Sequence, residues 1–371
     1  MRSFVHDALP GRVVFGVGSF DRVPAELDRL GVARILLIAD RMGRPWADEL
    51  AERLGARTVA RIDDVRVHVP VERAEEARAI ARDTSADAIV TIGGGSATGL
   101  GKAVALERPI AILAVPTTYA GSEMTPIWGL TEGQRKHTGR DPTVQPRTVV
   151  YDPLLTLTLP ASIAGPSGMN ALAHCAEAIY ADGASPITTL MAEEGIRVLS
   201  VGLPRVVERP DDVEARGDVL MGAYLAGAAF AAAGSGLHHK ICHVLGGAYD
   251  LPHADTHTVI LPHALAFNAP AVPAAMARIA RGLGNPDVPG AVFDLARSIG
   301  APRSLAEIGM PAERLDEAAR LIVEAVTTNP RPVDEPAMRT LLEDAFEGRR
   351  PSLAGSVARR TSEAGALAPG S

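Results

Sequence analysis

Continuous apolar runs of strand length, separated by stretches of helical period, dominate the chain from Val13 to Val115. RILLIA (Arg34–Ala39), AIVTI (Ala88–Ile92) and IAILAV (Ile110–Val115) show no polar alternation, so each predicts a strand covered on both faces. Val13–Phe15 and Arg57–Ala60 predict two shorter strands. Between them Phe20–Leu30, Pro45–Leu54, Val71–Asp83 and Gly99–Glu107 read as helices. Such alternation implies a parallel sheet flanked by helices. The texture changes after LTLP, which ends at Pro160. Long Ala- and Leu-rich patterns divided by Gly and Pro run from Gly168 to about Glu347 and predict an all-helical second domain. From Arg349 onward the residues are small, with scattered arginines, and predict a short helix and a frayed end. The expected organisation is an α/β domain over 1–158, an all-α domain over 159–350 and a tail over 351–371.

Composition narrows the partners more than the fold. With 371 residues, 47% hydrophobic and 22% charged, the chain can bury the cores of two domains. A formal net charge of −7 argues against nucleic acid or an anionic membrane as partner, and it obliges an acidic substrate to find a local positive pocket. Cys175 and Cys242 sit in helix-like segments and could be bridged only if those helices touch; buried free thiols in a reducing compartment are the expectation. The N-terminus lacks the apolar stretch and cleavage site of a signal peptide. The longest apolar run, 219–233, falls short of the ~18–20 residues of a membrane span. A soluble, cytoplasmic protein is expected.

Two loops follow core strands directly. GGGSATGLGK, Gly93 to Lys102, opens a helix, so the backbone N–H groups of Gly93, Gly94, Gly95 and Ser96 are placed to hold a phosphate. A Walker loop would need Gly at Ser96 and a hydroxyl residue at Ala103, and GxGxxG spacing is not met cleanly, so a plain glycine turn stays open. PTTYAGSEMTP, Pro116 to Pro126, offers the hydroxyls of Thr117, Thr118 and Ser122 to ribose or phosphate oxygens. Two such loops at the ends of neighbouring strands agree with a nucleotide in the crevice outside the sheet. Asp40 ends its own strand and either bonds a cofactor ribose, favouring NADH over NADPH, or caps the next helix.

Six of the ten histidines lie between His238 and His263, most of them in GLHHKICHVLGGAYDLPH (Gly236–His253), and His174 lies in MNALAHCAEAIYA (Met169–Ala181). In a helix Asn170 and His174 share a face, as do His239 and His243. His253 follows a Gly-Gly turn. His238 points off the face of its neighbour and reads as packing. His257 and His263, near prolines, read as ordinary hydrogen-bonded side chains. A carboxylate at 170 would complete an Asp/His/His/His set for Fe²⁺ or Zn²⁺; the chain has an amide there.

Together the GGGS loop, PTT…GSE, YDP…LP (Tyr151–Pro160) and GLHHKICHVLGG…PH resemble the iron-containing alcohol dehydrogenase superfamily, from Val13 to Asp344. The resemblance implies a dehydroquinate synthase-like fold, a nicotinamide cofactor and a homodimer. In that family an Asp, a His four residues on and two histidines fourteen apart hold a metal; here these positions are Asn170, His174, His239 and His253. A further active-site histidine matches His243, and Lys136 with Asp141 matches a segment near the cofactor. TTYAGSEMTPIWG, Gly99 with Gly101, RDPTVQP and SGMNALAH are similar to the branch that reduces maleylacetate in the degradation of aromatic compounds. Metal-dependent members carry Asp in place of both Gly99 and Asn170.

The amide suits that branch. An alcohol dehydrogenase needs a Lewis acid to lower its alcohol's pKa, whereas replacing Asp by Asn removes the one anionic ligand. In a conjugated keto-acid, hydride can add to the alkene carbon remote from the ketone, and imidazole N–H donors can meet the resulting enolate. The expectation is therefore NADH-dependent reduction of a dicarboxylate to 3-oxoadipate without metal. His243 or His253 would act as proton donor and enolate stabiliser, with His174 and His239 orienting the substrate. Tyr119, Ser122 and Asn170 would touch substrate or nicotinamide. A metal-dependent alcohol or glycerol dehydrogenase and a non-catalytic NAD-binding protein are the alternatives.

Overall fold

A computed structural model describes Phe4, His6 and residues 11–133 and 135–353; the expectation for the tail beyond Leu353 lies outside the described residues. Six parallel strands form one sheet: β1 (Arg12–Phe15), β2 (Ile35–Ala39), β3 (Thr58–Ile62), β4 (Ala88–Gly93), β5 (Ala111–Pro116) and β8 (Thr148–Tyr151), in the order β1-β8-β5-β4-β2-β3. Every residue of β2 and β4 is buried, as their unbroken apolar runs require. Helices α1 (Val23–Leu30), α2 (Arg44–Leu54), α3 (Val71–Asp83) and α4 (Gly95–Glu107) alternate with the strands. Their packing leaves a separate apolar core on each sheet face.

Strand β8 is not among the expected elements, and two further features depart from them. An antiparallel hairpin, β6 (Ile127–Glu132) with β7 (Arg135–Arg140), stands outside the main sheet. Strand β6 is only half-buried and β7 is polar, so the hairpin leaves no long buried apolar run in the pattern. Helix α4 also begins four residues earlier than its periodicity suggests, inside the glycine loop itself.

The second part is wholly helical among the described residues: α5 (Ala161–Ala178), α6 (Pro186–Glu208), α7 (Val213–Ala233), α8 (Leu237–Tyr249), α9 (His253–Asn268), α10 (Pro273–Leu283), α11 (Val288–Ser298), α12 (Leu315–Ala325) and α13 (Glu335–Phe346). Helices α5, α6 and α7 approach closely through small residues. A methyl on Gly222 of α7 would meet Leu199 of α6, and one on Gly195 of α6 would meet Cys175 of α5. This explains the Ala/Gly-rich run at 219–233, most of whose residues are buried. Among the described residues, no single helix is long and apolar enough to cross a membrane. Helices α8, α9, α12 and α13 surround a second helical core. Cys175 and Cys242 are free and buried, as expected.

Candidate functional site

The carboxyl ends of β2, β4 and β5 lie side by side, Ala39 beside Ile92 and Gly93 beside Pro116. Three candidate segments therefore meet at one edge, outside the strand ends where open α/β sheets bind ligands. Asp40 acts there as a turn cap, its Oδ1 accepting the N–H groups of Met42 at 3.0 Å and Gly43 at 2.9 Å. Its Oδ2 accepts the N–H of Gly94 at 2.7 Å, so the same carboxylate also braces the glycine loop. Gly93 has φ +150°, and a methyl on it would collide with that carboxylate. Gly94 is the N-cap of α4 and supplies no side-chain cap, leaving the helix's first N–H groups to an anion. Thr118 packs against Gly94, and the buried hydroxyl of Thr117 has no partner. An open helix terminus, a glycine cradle and an orphaned hydroxyl fit a dinucleotide. Lys136 falls on β7 opposite Thr131, and its side chain lies outside the described part.

The loop after β5 is fixed from below by Lys102 of α4. This fully buried ammonium donates to the carbonyls of Ser122 at 2.7 Å, Thr125 at 2.8 Å and Ile127 at 2.8 Å. Burial pushes it down to about 7, against the pull of Glu123. Ser122 is thereby turned toward Lys102, its hydroxyl 3.4 Å from the ammonium. Tyr119 does not reach a substrate as expected. Its ring is fully buried in the core between the sheet and the helices, and its hydroxyl faces the buried guanidinium of Arg216 at 3.3 Å. The loop instead presents Gly121, at φ +76°, to the helical part: a methyl there would lie 3.4 Å from Nδ1 of His174 and 3.4 Å from the Cα of Gly227 in α7.

Four imidazoles close a ring between α8 and α9. His239 and His243 are one turn apart on α8, with centroids 6.2 Å apart; His253 and His257 are one turn apart on α9, at 4.3 Å. Across the helices His243 stacks on His253 at 6.5 Å, and His239 meets His257 edge-on at 4.7 Å. His243 and His253 are exposed, and His239 and His257 are buried. His174 stacks on His239 at 5.0 Å, with Phe230 against both rings. Asn170 is buried, and its Oδ1 has no partner. The four expected histidines are thus brought together, with His257 as a member that the sequence reading missed. His257 is not an ordinary hydrogen-bonded histidine, because neither ring nitrogen has a partner; Nε2 of His263 has none either. The spacing of His253 and His257 on one helix face was the available signal. His238 packs as expected, its Nε2 3.0 Å from the carbonyl of His257.

A second missed residue lies behind the ring. Glu177 of α5 is fully buried and accepts the backbone N–H groups of Gly236 at 3.0 Å and His238 at 2.7 Å, while Nδ1 of His239 lies 2.5 Å from its Oε2. Burial pushes Glu177 up, and the histidine and N–H donors pull it back. Burial holds His174, His239 and His257 well below the ordinary imidazole range, helped by their neighbouring imidazoles, so they are neutral at neutral pH.

The side chains of the ring offer a divalent ion neutral donors. Among the described residues, the His, Cys, Asp or Glu side chains bringing three ligand atoms within 4.8 Å of one another are His238, His239 and His257. That trio does not include His174 or His253. His238 already spends Nε2 on a carbonyl, and both oxygens of Glu177 are occupied by N–H groups. Asn170 supplies a neutral amide where an anionic ligand would contribute several kcal/mol of attraction.

The model of the iron-containing alcohol dehydrogenase family matches residues 10–153, and that of the family's C-terminal part matches 165–346. A maleylacetate reductase of Burkholderia cepacia is 50% identical over 352 residues, covering 95% of this chain and all of that one. One of Sphingobium indicum is 50% identical over 351 residues, covering 95% and 99%. The crystal structure of maleylacetate reductase from Agrobacterium tumefaciens superposes with a TM-score of 0.91 at 45% identity, covering 95% of this chain and all of that one. From its sheet and strand-end loops to its helical histidine ring, the chain belongs to the iron-containing alcohol dehydrogenase family.

Proposed function

We propose that the protein is an NADH-dependent maleylacetate reductase that works without metal. The observation that carries the reading is identity of 50% along the whole length of relatives bearing that activity. The site agrees with it: an amide and neutral imidazoles, with no anionic metal ligand, at the end of a dinucleotide crevice. Gly94, Gly95 and Ser96 at the start of α4 would hold the cofactor's diphosphate, Thr117 and Thr118 would line the adjoining loop, and the Asp40 carboxylate at the end of β2 would favour a free ribose 2′-hydroxyl over a 2′-phosphate. When bound, the nicotinamide supplies the hydride. His243 and His253, the exposed pair of the ring, donate N–H to the oxygen on which the enolate charge develops, and one of them or a water returns a proton to carbon. The buried histidines exclude water and set the geometry of that pair. A homodimer in the cytoplasm is the proposed setting; two buried free thiols suit a reducing compartment.

The test is loss of NADH absorbance with maleylacetate in the presence of EDTA, with 3-oxoadipate as product and elemental analysis of the purified protein. Undiminished turnover with well under one Fe or Zn per chain is expected. No turnover of maleylacetate would remove the assigned substrate. Activity lost on chelation and restored by Fe²⁺ or Zn²⁺ would remove the metal-free chemistry.

A further inference from the structure

Two hydrogen-bond chains converge on one tautomer of His239. The first runs through Glu177. Its Oε1 receives the N–H of His238 and its Oε2 that of Gly236, so both oxygens already face fixed backbone donors. A third atom 2.5 Å from Oε2, Nδ1 of His239, completes the set as a donor. The second chain runs through His238. Its Nε2 faces the carbonyl of His257 at 3.0 Å, and a carbonyl can only accept, so the proton of this neutral ring is on Nε2. The Nδ1 of His238 is then a lone pair, and it faces Nδ1 of His239 at 3.4 Å. An ionised Glu177 and the lone pair of His238 both require hydrogen on Nδ1 of His239. A neutral ring that carries it there has none on Nε2.

We propose that Glu177 is a positioning residue of the reductase site, holding His239 in the tautomer whose Nε2 is a bare acceptor. This rests on the placement of the reaction at the histidine ring. The consequence is a division of labour. Nε2 of His239 is buried and without a partner, so it can accept a hydrogen from a neighbouring N–H but repels a carboxylate or enolate oxygen. The anionic parts of the substrate are left to the exposed pair, His243 and His253. An imidazole wrongly protonated at the buried end would compete for the enolate oxygen and draw it away from that pair. Glu177 touches neither substrate nor cofactor in this account; it acts through His239.

The test uses the full chain with ¹⁵N-labelled histidine and bound NADH, His239 being assigned by loss of its signals in His239→Gln. The expected spectrum has protonated Nδ1 and unprotonated Nε2. Glu177→Gln keeps the shape but has one acceptor oxygen for three N–H donors, so an Nε2–H form should appear. Turnover per NADH-binding site should fall at least ~10-fold, bounded by the ~10⁴-fold loss that a wrong histidine tautomer causes in a serine-protease triad. Glu177→Asp, which retains the carboxylate, should keep the Nδ1–H form and recover part of the rate. An Nε2–H signal in the unaltered protein overturns the proposal even if no variant folds, as does a Glu177→Gln protein with turnover within twofold of normal. Failure of the unaltered protein to reduce maleylacetate would strike the functional reading, while the tautomer would still be read directly.

Discussion

The approach of the β5 loop to α7 gives the most exacting test of how the two parts are held in register. Gly227→Ala adds one methyl in the interior of α7. That methyl would lie 2.5 Å from the carbonyl oxygen of Gly121, 3.0 Å from Cβ of Met124 and 3.2 Å from Cα of Gly121. Ordinary contacts between such atoms begin near ~3.5 Å, so loop and helix must separate by roughly 0.5–1 Å. Two effects oppose each other. Replacing Gly by Ala within a helix favours folding by ~1 kcal/mol. Overpacking at a closed contact costs ~1–3 kcal/mol. The clash is with backbone, which cannot rotate away, so the cost should win by ~0–2 kcal/mol and lower the melting temperature by a few degrees at most. Turnover should suffer more. The displaced segment is the one that faces His174, and a misplacement of ~1 Å can cost ~10²-fold in rate. Gly217→Ala is the control: it lies on the same helix, and its methyl would meet Pro153 at an ordinary 3.5 Å. That variant should be slightly stabilised with unchanged turnover. Thermal melts and steady-state NADH oxidation on both proteins decide the matter. A Gly227→Ala enzyme as stable as the control, with kcat within threefold of normal, would refute the reasoning.

Asp40→Ala should narrow the preference for NADH over NADPH, measured as the ratio of kcat/KM; an unchanged ratio would leave Asp40 as a turn cap and loop brace alone. His243→Ala and His253→Ala should lower kcat by ~10²–10³-fold, the scale for losing a strong oxyanion donor, whereas His174→Ala should mainly raise KM. Near-normal turnover in all three would place the chemistry outside the ring.

How much of this was legible in the sequence follows from the range of the interactions. RILLIA, AIVTI and IAILAV announce their strands because burial on both faces leaves a mark in consecutive residues. The β6–β7 hairpin leaves none, since IWGLTE is half-buried and RKHTGR is polar, and TVVY of β8 is too short to stand out. The helical histidine pairs were visible for the same local reason. Four-residue spacing on α8 revealed His239 with His243, and the same rule applied to α9 would have added His257 to His253. Tyr119 misled because its neighbours line a loop at the strand ends. Its own ring is drawn into the core by Arg216, which lies 97 residues away in sequence.

Glu177 is the instructive omission. It stands three residues after His174 in plain view, yet a glutamate in a helix is unremarkable until its partners are known. Those partners, Gly236, His238 and His239, are 59 to 62 residues further on. Asp40 is the parallel case in the first domain, since its bond to Gly94 spans 54 residues. In both sites the chemistry-bearing groups can be listed from local spacing, but the atoms that decide their protonation and orientation come from a different element of the fold. Listing four imidazoles suggests four equivalent N–H donors. Pairing one of them with a buried carboxylate makes it an acceptor, and that difference decides which histidines can meet an anion.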